Sequence, residues 1–318
     1  MNFKELFERW KSVKAPDLRQ TTMCTYTMSW MSIEPLIGTL DIATFGQQQA
    51  TWLLSKMLST GSSSKYCRDR IALVKMLLHF ASQQLAETVS PHSWRLKYPA
   101  QPRRLVKSFN QAEQKKIIRV AYAETLKGAK YSAIFAVTIL TGLRIGEVCG
   151  LRWSDFDFAH KTVTIRRTVS NVYDPIEHKV IELVGAPKTA AGYREVPLHP
   201  LVIKLLKVRY GNLSSRSGYV TSESDSPTIP KVLRESFNLF VKRNKLPQIN
   251  FHGLRHTFAT ILIEKGCDVK VVSDIIGHSD VSTTYNLYVH PSPDAKRKAV
   301  AKAFRGLTLG INIEESNQ

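Results

Sequence analysis

Apolar residues recur at helical spacing along the first hundred positions. Phe3, Leu6, Phe7 and Trp10 fall on one face and predict a first helix. Thr22–Leu36 continues the period through Tyr26, Trp30 and Ile33 and is expected to end towards Gly38. Gln47–Leu58 predicts a third helix, stopped by Gly61. Ser62–Ser64 offer N-caps for a fourth that runs through Ile71, Val74, Leu77, Leu78 and Phe80. Alternating strand patterns are missing from this stretch, so an all-α N-terminal domain is expected over residues 1–98. The segment LKYPAQPRRLV at 96–106, with two prolines and three charges, reads as a linker.

A second domain is expected over 106–318. A helix begins after Asn110, with Glu113 three residues on in the manner of a capping box. Residues 131–140 are apolar enough for a buried helix. After Trp153 the period changes: Thr162–Arg167 alternates with Val163 and Ile165 on one face, and Lys179–Val184 and Arg194–Leu198 are further short β-rich runs. The simplest reading is one three-stranded antiparallel sheet. Helical patterns resume at Pro200 and continue to about Phe304, and the closing INIEESNQ is polar and expected to be loose. The fold class is therefore mainly α, with a small antiparallel β-sheet (α+β) in the second domain.

Charge narrows the partners. The 318 residues carry 45 Lys and Arg against 26 Asp and Glu, a net +19, of which +5 falls in the first hundred residues and +14 in the rest. Both parts suit a polyanion, because each phosphate neutralised releases condensed counterions. Cys24, Cys67, Cys149 and Cys267 are scattered without zinc-ligand spacing, which fits a reducing interior. The start MNFKELFERWKSVK has no signal-peptide h-region, and no stretch approaches the ~18 uninterrupted apolar residues of a membrane span. A cytoplasmic protein with no membrane association is expected.

Cutting a phosphodiester without a metal needs fixed cations for the charge that develops on the phosphate, an in-line nucleophile, and an acid for the departing 5′-oxygen. Those residue types occur in four settings. In Thr141-Gly142-Leu143-Arg144-Ile145-Gly146-Glu147 an Arg follows a Gly turn between two helices; a structural salt bridge to Glu147 is the alternative use of Arg144. In His252-Gly253-Leu254-Arg255-His256-Thr257 a helix puts His252 and Arg255 on one face. His252 and His256 also have metal spacing, but no Glu stands between them as in HExxH, and His256 reads as a structural histidine. Ile276-Gly277-His278-Ser279-Asp280 precedes Tyr285 and Tyr288; the Gly is expected to end one helix and Ser279 or Asp280 to cap the next, which a plain helix–turn–helix would equally do. Pro187-Lys188-Thr189-Ala190-Ala191-Gly192-Tyr193-Arg194 is turn-rich between two β-like runs, where a Lys either reaches a DNA groove or is merely solvated.

In their order, TGLRIGE, PKTAAGYREVPL, HGLRH and IGHSD with a following Tyr resemble the tyrosine recombinase (phage integrase) family, across essentially the whole chain. The resemblance implies a helical core-binding domain, then a catalytic domain, together clamping double-stranded DNA. It implies that Arg144 and Arg255 clamp the scissile phosphate, that His252 is a proton acceptor or hydrogen-bonder, that Lys188 is the β-hairpin general acid, that His278 fills the second histidine position, and that Tyr288 is the nucleophile of a 3′-phosphotyrosyl intermediate. Glu147 and Trp153 resemble structural positions. Tyr288 lies ten residues after His278, whereas many members place the tyrosine at nine, occupied here by Leu287; Thr283 and Thr284 favour Tyr288, with Tyr285 the minority candidate. No metal or cofactor is implied, and the working unit implied is a homotetramer on two DNA sites. The helical pattern starts at about residue 3, so the simple two-domain type without an N-terminal arm-binding domain is expected. Integration, excision, inversion and resolution stay open. The rivals are a type IB topoisomerase, which shares the chemistry but forms no synapse, and a non-catalytic DNA-binding protein, which would lose the site.

Overall fold

The computed structural model describes residues 1–89, 93–100, 107–174, 177–187, 189–211, 218–288, 297 and 300–305. Lys188, residues 101–106 of the expected linker and the polar C-terminal tail lie outside them. By proximity the chain forms two compact units: Met1–Leu105 with Val169–Gly185 and Ile229–Lys231, and Val106–Thr168 with Ala186–Thr228 and Val232–Gln318.

In the first unit, α1 (Phe3–Lys14), α2 (Gln20–Met31), α3 (Glu34–Ile37), α4 (Gln47–Ser59) and α5 (Ser64–Gln84) follow in sequence. Asn2 and Glu5 close a reciprocal capping box on α1, and the Ser63 hydroxyl caps α5 by accepting from the Tyr66 N–H. The expected continuous Thr22–Leu36 helix is instead two. Pro35 lacks an N–H and its ring would clash with the carbonyl of Met31, the last residue of α2, so the chain restarts at α3 with Pro35 in its first turn. The core is the predicted apolar face: Phe7 stacks on Trp30 at 4.8 Å, Phe3 meets Phe45 edge-on at 4.9 Å, and all four are buried.

The second unit is built around α7 (Ser132–Thr141), which is buried on nearly every side and packs on α6 (Gln111–Leu126), α9 (Pro200–Gly211) and α11 (His252–Glu264). Phe135 anchors it against Phe237 and Phe240 of α10 (Pro230–Arg243), at 5.2 and 5.1 Å. Thr138 and Thr141 are tolerated there because each hydroxyl donates back along the helix, to the carbonyls of Ile134 and Val137. The Asn110–Glu113 capping box starts α6 as read from the sequence. The remaining helices are α8 (Ile145–Gly150), α12 (Val269–Ile276) and α13 (Val281–Tyr288).

The strands depart from the single sheet expected. β1 (Phe156–Asp157), β2 (Thr162–Ile165) and β5 (Arg194–Pro197) form one antiparallel sheet in the order β1-β2-β5, with Val163 opposite Val196. β4 (Lys179–Gly185) pairs instead with β3 (Thr168–Asp174) as a separate two-stranded sheet. The burial explains the split. Val163, Ile165 and Val196 are fully buried, whereas β4 has no buried residue and its Val180 and Val184 are exposed, so it has no core face to lay on the other sheet.

Candidate active site

Arg144 is delivered by the turn between α7 and α8. Gly142 ends α7 in the left-handed conformation, φ 68°. A Cβ there would stand 2.4 Å from the Phe258 ring, so glycine is required both by backbone and by space. Arg144 follows as the N-cap of α8. Its backbone N–H donates to Glu147 Oε2 at 2.8 Å, its Nη1 to Glu147 Oε1 at 2.7 Å, and its Nη2 to the Gly277 carbonyl at 2.6 Å. The side chain remains 37% exposed while Glu147 is 3% exposed. The structural salt bridge weighed from sequence is therefore present, and it leaves the guanidinium partly open to solvent.

Glu147 has a second arginine. Arg194, at the start of β5, donates from Nη1 to Oε1 and from Nη2 to Oε2, both at 3.0 Å, and from Nε to the Ile275 carbonyl at 2.6 Å. Burial raises the Glu147 carboxyl, but the Arg194 bonds and charge, then Arg144, outweigh it and hold the group below the ordinary carboxylate range. Sequence reasoning quoted Arg194 inside a motif and gave it no role. The available signal was an arginine opening a strand two residues before the buried Val196; its partner Glu147, 47 residues away, was not readable from the chain.

Arg255 sits on α11 and is 1% exposed. Nη1 donates to the Gly142 carbonyl at 3.0 Å, while Nε and Nη2 have no hydrogen-bond partner among the described residues. Burial, with Arg144 nearby, pulls the guanidinium down to about 9, and Glu147 partly opposes this. A buried cation with two unmatched donors is costly. An oxyanion that accepts two parallel bonds is the complement of that fork. His252, one turn earlier, is exposed, yet protein is dense around its ring: burial first, then Arg255 and Arg144, lower its pKa.

His278 lies in the turn between α12 and α13. Gly277 is left-handed, φ 69°, and a Cβ on it would be 2.7 Å from the Ala191 carbonyl and 2.8 Å from Arg194 Nη1. The turn thus rests directly on the segment that follows residue 188. His278 Nδ1 is 2.7 Å from the buried Thr284 hydroxyl, and burial with Arg255 and Arg144 brings the imidazole down to about 4. Asp280, as anticipated, accepts from the Ser282 N–H at the start of α13.

Tyr288 closes α13 and is 9% exposed, whereas Tyr285 is 55% exposed. The Tyr288 hydroxyl is 2.5 Å from His256 Nδ1. His256 in turn meets His252 edge-on, ring centres 4.5 Å apart. Burial pushes the Tyr288 phenol up to about 12, opposed by Arg255. The same burial, then His252, Arg255 and His278, takes His256 down to about 4. The sequence reads His256 as structural and implies His252 as a proton acceptor or hydrogen-bonder; it is His256 that touches the tyrosine. Its four-residue spacing from His252 was visible, but its partner, 32 residues on, was not. Arg144, His252, Arg255, His278 and Tyr288 fall in one electrostatic neighbourhood; Lys188 is outside the described residues. Among the described residues no cluster of three or more His, Cys, Asp or Glu is arranged to hold a metal, and no helix is long and apolar enough to cross a membrane.

Residues 107–294 match the phage integrase family. The chain is 31% identical to a tyrosine recombinase XerC-like protein of Caldanaerobacter subterraneus, over 77% of this chain and 67% of that protein. It is 23% identical to the ICEBs1 integrase of Bacillus subtilis, over 82% of this chain and 71% of the relative. In fold it is similar to the Tn1549 transposon integrase solved in complex with transposon right end DNA, with TM-score 0.77, 20% identity and coverage of 95% of this chain and 99% of that one. The motif order, the match over most of the second unit and the fold agree: the chain belongs to the phage integrase family and is a tyrosine-type site-specific DNA recombinase.

Proposed function

We propose that Tyr288 is the nucleophile, attacking the scissile phosphate to form a 3′-phosphotyrosyl link and release a 5′-hydroxyl. Arg144 and Arg255 clamp the non-bridging oxygens, His252 and His278 add hydrogen bonds to them, and Lys188 protonates the departing 5′-oxygen. The bond energy stays in the phosphotyrosyl ester, so rejoining needs no ATP. The helical domain, residues 1–98, and the catalytic domain, 106–318, grip one duplex, and a homotetramer holds two sites. The lambda integrase tetramer bound to a Holliday junction, similar in fold at TM-score 0.63 and 14% identity, supports that assembly by analogy.

The observation that carries this reading is Arg255: a guanidinium 1% exposed with Nε and Nη2 unpartnered among the described residues, beside Arg144 and within the field of Tyr288. A phosphate diester supplies the missing acceptors, and its charge grows in the transition state, where fixed donors contribute most. The test is a nicked suicide duplex, whose short 5′-hydroxyl fragment diffuses away and traps the covalent complex. Wild type and Tyr285→Phe are expected to be trapped, and Tyr288→Phe is not. An adduct that maps by peptide analysis to another residue, or survives in Tyr288→Phe, removes the assignment. For Lys188→Ala, sulfur at the bridging 5′ position is expected to restore cleavage, since a thiolate leaves without an acid. Equal rescue of Arg144→Ala would remove the special claim of Lys188.

A further inference from the structure

We propose that His256 is the catalytic base for the nucleophile: it accepts the Tyr288 phenol proton on Nδ1 as the phosphotyrosyl bond forms and returns it when the strand is resealed. The proposal rests on the reading of Tyr288 as the nucleophile. It goes beyond that reading by moving the proton to a histidine that the family's motif does not assign.

The geometry is direct. Tyr288 Oη and His256 Nδ1 are 2.5 Å apart, within the reach a proton transfer needs. Tyr288 is 9% exposed, so little solvent competes for the phenol proton. For Nδ1 to accept, the ring must carry its own hydrogen on Nε2, the tautomer in which the phenol O–H is the donor. His252 lies edge-on to His256 at 4.5 Å but has no hydrogen bond to the phenol among the described residues.

The balance of the resting pair fits a base that waits for substrate. The phenol stands at about 12 and the imidazole at about 4. With the phenol raised and the imidazole lowered, the proton of the resting pair sits on Tyr288. Burial depresses His256 most, and His252 and Arg255 from α11 and His278 from the α12–α13 turn add to it. Arg144 and Arg194 press on the same cluster from α8 and β5, and Glu147, among the described residues, opposes them at Arg255 and His252. A phosphate bound between Arg144 and Arg255 adds negative charge where those cations face the histidines, which raises the imidazole. As the phenol oxygen bonds to phosphorus its own basicity collapses, so transfer runs with attack.

The step is balanced. The Tyr288 O–H bond breaks and Nδ1–H forms, giving an imidazolium. Oη–P forms, the P–O5′ bond breaks, and the 5′-oxygen takes its proton from the separate acid. On resealing, the 5′-hydroxyl attacks, Oη leaves, and the imidazolium protonates it.

The test uses the full chain and a nicked suicide duplex carrying a site selected from random DNA by binding. His256→Asn keeps an acceptor near Nδ1 but cannot hold a proton; His256→Phe removes both. Single-turnover adduct formation at pH 7 is expected to fall by about 10² or more in both, the usual contribution of a general base. DNA binding and thermal unfolding serve as controls for folding. In His256→Asn the deficit is expected to narrow steadily towards pH 9–10, as hydroxide takes over the proton; a structural role would leave a constant deficit. Wild-type rate in His256→Asn would overturn the proposal and reduce His256 to an anchor, and equal or faster cleavage by His256→Phe would make it a latch. Neither result touches Tyr288. Failure of the nucleophile reading is seen separately, as an adduct in Tyr288→Phe or on another residue. In the DNA-free protein, ¹⁵N spectra of His256 are expected to report Nε2–H with bare Nδ1; an Nδ1–H tautomer would also overturn the proposal.

Discussion

Replacing Arg194 with alanine isolates the structural half of the site. Arg194 is 7% exposed and makes a two-pronged contact, both bonds 3.0 Å, with a carboxylate that is 3% exposed. Breaking a buried ion pair from one side costs about 3–5 kcal/mol, because the surviving charge is left without its partner. Arg144 still contacts Glu147 here through its backbone N–H and Nη1, so the lower end, about 3 kcal/mol, applies. For a unit of this size that corresponds to a fall in Tm of about 6–12 °C. Calorimetry or fluorescence melts of wild type, Arg194→Ala, Glu147→Gln and the double variant measure it. The double variant is expected to be more stable than the sum of the singles, since it removes both partners of the buried Arg194–Glu147 pair and leaves only the part-exposed Arg144 without its carboxylate. The pH dependence supplies a second check. Burial alone would raise the Glu147 carboxyl, and the arginines hold it below its ordinary 4.5. Its contribution is therefore present above 4.5 and lost as pH falls through the depressed folded value. Without Arg194 the carboxyl rises and protonates in mild acid, so the gap between variant and wild type should narrow as pH drops from 7 to 4.5. A constant gap, or a single variant that melts with wild type, would refute the argument.

Arg255→Met is expected to abolish strand cleavage yet raise the unfolding free energy by about 1–4 kcal/mol, since it removes a buried cation with two donors unpaired among the described residues; a destabilised variant on urea melts would count against an anion-waiting site. Gly142→Ala is expected to cost about 1–3 kcal/mol from the φ of 68° alone, with the 2.4 Å approach to Phe258 adding to it; an unchanged chemical-denaturation midpoint would show that the turn relaxes freely. DNA affinity should fall by about 10³–10⁵ between 50 and 200 mM salt if roughly 6–10 phosphates are neutralised, as a charge of +19 suggests; a flat plot of log K against log salt would contradict this.

What was legible in the sequence was local. The Asn110–Glu113 box, the left-handed Gly142 and Gly277 turns and the Asp280 cap each close within a few residues, so their chemistry is written where it acts. What was illegible depended on distant partners. β1 is two residues long, below any periodicity, and exists because Phe156 lies opposite Val163. β4 was readable as a strand but not as a partner of β3, since pairing is decided by which face finds a core. Pro35 was visible and its consequence underweighted: apolar spacing continued across it, while the missing N–H ended the helix.

The same distinction runs through the site. Motif order singled out Arg144, His252, Arg255, His278 and Tyr288, because each stands in a short string of characteristic residues. Arg194, without a role, and His256, read as structural, stood in those strings too, because their partners are 47 and 32 residues away. Glu147 explains why they matter together. In a site dominated by cations, each arginine added to hold phosphate lowers the basicity of every imidazole nearby, and three histidines are depressed here. One buried carboxylate against Arg144 and Arg194 opposes that depression at His252, and both its oxygens are taken by those two arginines. A site that both clamps an anion and moves a proton needs its positive charge concentrated on the first task and shielded from the second. The Arg144–Glu147–Arg194 triad, anchored to the Gly277 and Ile275 carbonyls, meets that requirement with residues that themselves move no proton.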